Sequence, residues 1–185
     1  MANALVPLAD GCEEMEAVII VDVLRRGGWR VVAAGVTDEI VRASRGVRLL
    51  ADMPWSRVDP DEFDLLVLPG GAGGTAVLSE HPAVLETVRC FVNGDRIVGA
   101  ICAGPLVLQA AAVTEGRTLT CHPAVRADLT TGNVSDERVV VDRPLVTSQG
   151  PGTAMEFALE LLRLVDGDQA AADVAAGLVL PQASR

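Results

Sequence analysis

The chain has 185 residues, half of them hydrophobic, with 3% aromatics, no tyrosine and a formal net charge of −10. One ordinary domain with its own core fits that length, and a core so poor in aromatics must be built from Val, Leu, Ile and Ala, which suits a sheet covered by helices. The acidity argues against nucleic acid or an anionic membrane as a standing partner.

The N-terminal stretch "MANALVPLADGCEEME" lacks a basic segment followed by a long apolar one, so no signal peptide is expected. No apolar run approaches the roughly 18 residues that span a bilayer. The cysteines at 12, 90, 102 and 121 show no CxxC and no framework spacing, as expected of free thiols in a reducing cytoplasm.

In chain order, "ALVPLA" (4–9) reads as a strand and "EMEAVIIVDVLRRGG" (14–28) as a helix closed by glycines. "RVVAAGV" (30–36) predicts a second strand, and "VRASRGVRLLADM" (41–53) a hairpin or strand pair with Gly46 near its turn. "DLLVLPGG" (64–71) predicts a buried strand, followed by a Gly-rich loop and a helix over 81–94. "RIVGAIC" (96–102) is another buried strand, and 104–113 a helix with Pro105 at a tolerated first-turn position. Further β-structure is expected over 118–123 and 138–148, and helices over 152–167 and 168–178. Strands alternating with helices imply βαβ units: an α/β fold with a mostly parallel sheet, helices on both faces, and a single domain over 1–185.

In such a sheet the loops beyond the carboxyl ends of the strands form the binding crevice. Loops 10–16, 69–75, 102–105 and 121–123 converge there. Cys102 ends a strand that turns at once into a helix, like the nucleophile elbow of hydrolases, where a helix N-terminus favours a thiolate. The competing reading is a small apolar residue filling a strand end. Of the two histidines, His122 at a strand end suits a partner for Cys102 better than His81, which opens a helix. Cys121 should point to the opposite side from His122. Glu13, Glu14 and Glu16 open the first helix, where acids suit the macrodipole, and one of them could face the crevice. A carboxyl beside a thiolate would have a raised pKa and could donate a hydrogen bond. "PGGAGGT" (69–75) lacks the ending of a P-loop, so it predicts a tight turn whose N–H groups act as oxyanion donors rather than a phosphate cradle.

"GCEEMEAVIIVDVLRRGG", "LVLPGGAGG", "GAICAGP", "TCHPAV" and "TSQGPGTAMEFAL" resemble, in order and spacing, the DJ-one branch of the ThiJ/PfpI superfamily, and the match extends to "AAADVAAGLVLP". The resemblance implies a flavodoxin-like three-layer sandwich, usually a homodimer. It implies Cys102 as the reactive cysteine, with Glu16 and His122 beside it, and oxyanion amides at Gly71 and Ala103. It further implies Arg45 at the site, Arg26 near the dimer interface, and a Gly150-Pro151-Gly152 loop approaching the partner's site. Relatives often carry Asn where Ala72 stands and Arg where Gln149 stands; Cys12 occupies a position usually small and unreactive, and would be a resolving thiol at most. PfpI-type peptidases carry histidine directly after the cysteine, and Ala103 there argues against proteolysis.

The implied activity is a glyoxalase or deglycase that needs no cofactor or metal and converts α-dicarbonyls such as methylglyoxal, or early glycation adducts, through a cysteine hemithioacetal. The alternative is an oxidative-stress sensor or redox-regulated chaperone using the same thiol.

Overall fold

A computed structural model describes residues 1–180, so Pro181, the last residue of the C-terminal segment quoted above, lies outside the described residues. Strands β1 (Asn3–Leu8), β2 (Arg30–Gly35), β5 (Met53–Pro54), β6 (Leu65–Leu68), β7 (Ile97–Ile101), β10 (Val139–Asp142) and β11 (Leu145–Ser148) form one sheet, in the order β10-β11-β7-β6-β1-β2-β5. All neighbours are parallel except the β10–β11 hairpin. Strands β3 (Ile40–Arg42) and β4 (Arg48–Leu50) form a separate hairpin, and β8 (Thr118–Leu119) pairs with β9 (Asn133–Val134) outside the main sheet.

The central strands are apolar on both faces because each face carries its own helical layer. Ala4, Val6, Val31, Ala33, Leu65 and Val67 join one core with α1 (Glu14–Arg26), α5 (Ala154–Asp166) and α6 (Asp168–Gly177). Their alternates Leu5, Val32, Ala34, Leu66 and Leu68 join a second core with α2 (Ala72–Glu80), α3 (Pro82–Asn93) and α4 (Pro105–Ala110). This is the flavodoxin-like three-layer α/β sandwich. Among the described residues, no helix is long and apolar enough to cross a membrane.

Phe157, on α5, is fully buried in the first of these cores, in a chain with little other aromatic volume. Phe157→Ala is expected to lower the unfolding free energy by about 3–5 kcal/mol, read from urea melts of both proteins, with the shift in midpoint carrying the loss.

The chain passes from β1 to β2 on one side and then returns to β6 on the other side of β1. That reversal opens a crevice beyond the carboxyl ends of β1 and β6. One expectation needs correction here. The stretch read as a Gly-rich loop over 69–75 becomes helix at Ala72 and stays helical through Gly73 and Gly74. Intrinsic propensity opposes this, and tertiary packing overrides it. A Cβ on Gly74 would lie 2.7 Å from the backbone nitrogen of Cys12, so only glycine lets this helix lie against the first loop. Two other elements are shorter than expected: the helix after Cys102 covers only Pro105–Ala110, and in 118–123 only Thr118–Leu119 is strand.

Candidate active site

The residues of "CEEME" that sequence left open each take a different task. The Glu13 carboxylate caps α1 by accepting the Glu16 backbone N–H at 2.7 Å. Glu14 reaches outward to the β3–β4 hairpin, where it accepts from the Ser44 hydroxyl and the Arg45 backbone N–H, each at 2.8 Å. Against the cost of burial, these donors hold its carboxyl below the usual range. Glu16 turns inward and is 0% exposed. Its Oε2 accepts the Gly70 N–H at 2.8 Å, while its Oε1 is buried with no hydrogen-bond partner among the described residues, and the thiol that influences this carboxyl stands beside it.

That thiol belongs to Cys102. The residue sits at φ 63°, a left-handed conformation that side chains rarely adopt, between the end of β7 and α4. Its backbone is held from both sides: Cys102 N–H donates to the Ser148 carbonyl, and its carbonyl accepts from His122 N–H, each at 2.9 Å. A strained backbone so tied keeps the side chain above the sheet edge. The backbone N–H groups of Gly71 and Ala103 favour the ionised form of the sulfur. Gly71 has φ +90° and caps α2, and a Cβ there would come within 2.4 Å of the Gly11 carbonyl. Glycine is therefore required for this amide to face the thiol.

The electrostatics correct one expectation. A helix N-terminus was expected to favour the thiolate, but α4 is a helix of only 6 residues, and burial dominates. Desolvation and the neighbouring Glu16 charge push the Cys102 thiol up to about 12, against the pull of the Gly71 and Ala103 amides. Desolvation likewise pushes Glu16 up to about 7, opposed by the Gly70 N–H and the Cys102 hydrogen bond. Two adjacent buried groups resist being ionised together, so near neutrality they share one proton.

His122 caps the short turn Pro123–Val125, its Nδ1 accepting the Ala124 backbone N–H at 3.1 Å. A backbone amide can only donate, so the neutral ring carries its proton on Nε2. Gly150 stands beside it: a Cβ there would lie 3.1 Å from His122 Cδ2 and 4.0 Å from Glu16 Oε1. Thr153 holds this loop, its hydroxyl accepting the Gly150 N–H at 3.0 Å.

Cys102, Ala103, Gly71, His122, Arg45 and Pro151 line one cleft of about 500 Å³, with Glu16 buried behind the thiol. Arg26 is not among them. It lies on the last turn of α1, pairs with Asp22 at 2.6 Å, and borders a different depression beside Asp173 and Val174. Ala72 also lines the cleft, and Gln149 instead donates to the Asp136 carbonyl at 2.9 Å. Cys121 packs into the second core while its neighbour His122 faces the cleft. Cys12 is buried, and desolvation, with Glu14, Glu13 and Asp10 nearby, pushes its thiol up to about 12, poor chemistry for a resolving thiol.

Sequence reasoning missed the Gly70 N–H that orients Glu16 and the Ser148 carbonyl that ties the elbow. Both are backbone groups, and no side-chain motif marks them. Among the described residues, no three His, Cys, Asp or Glu side chains converge to hold a metal.

The DJ-1/PfpI family profile matches residues 2–164. Protein dj-1beta of Drosophila melanogaster is 42% identical over 181 residues, 96% of this chain and 97% of that protein. The crystal structure of Drosophila melanogaster DJ-1beta superposes with a TM-score of 0.94 over 97% of this chain and 98% of the other. The glutathione-independent glyoxalase DJR-1.2 of Caenorhabditis elegans is 38% identical over 170 residues, 91% of this chain and 90% of that protein. The structure described as Toxoplasma gondii DJ-1, oxidized, is 37% identical with a TM-score of 0.90, covering 97% of this chain and 98% of the other.

Proposed function

This chain belongs to the DJ-1/PfpI family, and from that premise we propose that it is a glutathione-independent glyoxalase acting on α-oxoaldehydes such as methylglyoxal. The observation that carries the reading is a fully buried carboxyl, Glu16, set beside Cys102, with one oxygen tethered to the Gly70 N–H and the other left without a hydrogen-bond partner among the described residues. The similarity to a protein named as a glutathione-independent glyoxalase supports it.

In this mechanism Cys102 passes its proton to Glu16 and the sulfur adds to the aldehyde carbon, giving a hemithioacetal whose oxyanion is met by the Gly71 and Ala103 amides. Glu16 returns that proton to the oxyanion and, a carboxylate again, removes the C1 proton to form an enediolate; it delivers the proton to C2 while the C1 hydroxyl proton passes to the C2 oxygen, which leaves a thioester on Cys102. Water hydrolyses the thioester, releasing lactate and the free thiol. The net change is addition of one water to methylglyoxal, so no redox cofactor is required. The same steps serve early glycation adducts, in which the carbonyl is masked by an amine or thiol.

His122 acts in this scheme as a donor. With Nδ1 occupied by the Ala124 N–H, Nε2–H can polarise the carbonyl but cannot accept a proton from substrate. His122→Ala is expected to lower kcat/KM by about 10²-fold. His122→Gln, which retains a donor and cannot titrate, should remain within about tenfold of wild type. Steady-state kinetics of both variants check this, and a Gln variant as poor as the Ala variant would make His122 a base.

Lactate formation from methylglyoxal, with no glutathione added, tests the proposal itself. If only background lactate forms while peroxide oxidises Cys102 stoichiometrically, a redox sensor replaces the enzyme.

A further inference from the structure

Two buried hydroxyls beside the site take no part in the scheme above. Ser148 ends β11 and is 0% exposed; Thr153, directly before α5, is 4% exposed. Buried hydroxyls need partners, and these two find one in each other, with their oxygens 2.6 Å apart. Each has a single proton to give. Ser148 Oγ donates to the Arg138 carbonyl at 2.8 Å, so it accepts from Thr153. Thr153 Oγ1 in turn accepts the Gly150 N–H at 3.0 Å. The Gly150 carbonyl, 2.9 Å from Thr153 Oγ1, is already served by the Thr153 backbone N–H at 2.8 Å. One unbroken chain results, from Gly150 N–H through Thr153 and Ser148 to the Arg138 carbonyl, and each link polarises the next. Arg138 closes it from outside: its guanidinium donates to the Gly152 carbonyl at 2.9 Å and pairs with Glu156 at 2.7 Å.

Both members of the pair bear on the reacting groups. The Ser148 carbonyl accepts the Cys102 N–H at 2.9 Å, so the residue that carries one hydroxyl also ties the elbow. The Gly150 turn packs on His122, where a Cβ would stand 3.1 Å from Cδ2, the ring carbon bonded to Nε2. Backbone conformation does not demand glycine here, because its φ of 161° is extended and open to any residue. The demand is for space beside the ring. On the other edge of the imidazole, Nδ1 accepts the Ala124 N–H at 3.1 Å. The ring is thus held between one hydrogen bond and one packed stretch of backbone, and only the second comes from a segment far away in the chain.

We propose that Thr153, through its hydroxyl pair with Ser148, is a positioning residue for His122: it fixes the Gly150 turn against the ring and so sets the direction of Nε2–H in the Cys102 cleft. Thr153 touches neither thiol nor substrate and acts only through the imidazole. This positioning is independent of the reaction the site performs; the kinetic arm of its test rests on the glyoxalase proposal.

The chain has two histidines, so His81, at the start of α3, is a built-in reference for the imidazole Cδ2–H signal of His122. Thr153→Val keeps the shape of the side chain and removes the hydroxyl. Below its melting temperature this variant should show a displaced or doubled His122 signal in proton–carbon correlation spectra, while the His81 signal stays in place. Thr153→Ser should restore the wild-type spectrum. Ser148→Ala breaks the same chain but keeps the backbone carbonyl that ties Cys102; it should move the His122 signal too, and it answers the question if the valine variant does not fold. A role confined to stability would lower the melting temperature and leave the His122 signal in place, and that result overturns the proposal.

In lactate formation from methylglyoxal, Thr153→Val is expected to lose about tenfold in kcat with KM little changed, a part of what loss of the whole ring costs. In a His122→Ala background the same substitution should cost less than about twofold, because the group it acts through is gone. An equal loss in both backgrounds overturns the proposal. If the His122 signal moves as expected while the wild type forms no lactate, the positioning stands and the glyoxalase proposal fails.

Discussion

Cys102→Ser is expected to abolish lactate formation from methylglyoxal, with at least about a 10³-fold loss in kcat/KM. Serine is nearly isosteric, so the fold should persist. The backbone bonds to Ser148 and His122 do not involve the side chain, and the strained φ of 63° is already accommodated. What changes is the nucleophile. In the same surroundings a serine hydroxyl is far less acidic than a thiol, so passing its proton to Glu16 is much more unfavourable, and the neutral hydroxyl is the weaker nucleophile. The check is a lactate assay beside thermal melts of both proteins. Turnover that survives in the serine variant at an unchanged melting temperature would remove Cys102 from the chemistry.

Glu16→Gln is expected to split reactivity from turnover. Glutamine still accepts the Gly70 N–H and presents an N–H toward the sulfur, but it cannot carry a proton between C1 and C2. Turnover should fall about 10²–10⁴-fold. Alkylation of Cys102 should persist, and its pH midpoint should move down. Burial raises this thiol first, but the Glu16 charge and hydrogen bond raise it further, and the substitution removes both.

Stability moves as well. The Glu16 carboxyl ionises near its ordinary value of about 4.3 when unfolded and at about 7 when folded. Between those values the folded state binds the extra proton. This group therefore stabilises the fold fully below the window, and the contribution is lost as pH rises through it. The glutamine variant should show a flatter stability profile between pH 4 and pH 7, measured by urea melts across that range. A wild-type profile that rises over the same window, with no difference in the variant, would contradict the buried, shared-proton pair.

The layered fold was legible because its signals are local and periodic. "ALVPLA", "LLVLP" and "IVGAIC" are apolar without interruption, as strands buried on both faces must be, and the intervening stretches carry helical periodicity and glycine stops. The boundaries that failed were those set by contacts. Gly73 and Gly74 read as loop because glycine disfavours helix, yet the first loop packs where side chains would stand. The pairing of Arg26 with Asp22 was equally invisible, because a resemblance carries over position in the chain but not the partner of a side chain.

The sequence by itself determined the α/β class, the elbow at Cys102, the set of loops that meet beside it and the family resemblance, since each is written in nearest-neighbour chemistry and spacing. Only the tertiary structure decided which of Glu13, Glu14 and Glu16 faces the thiol, and which nitrogen of His122 is free. It also decided that burial raises the Cys102 pKa. Those outcomes depend on how α1, the Gly70-Gly71 turn and the β3–β4 hairpin pack together across the reversal of the sheet. A carboxyl or thiol takes its proton affinity from the groups that surround it in space, and these come from segments far apart in the chain.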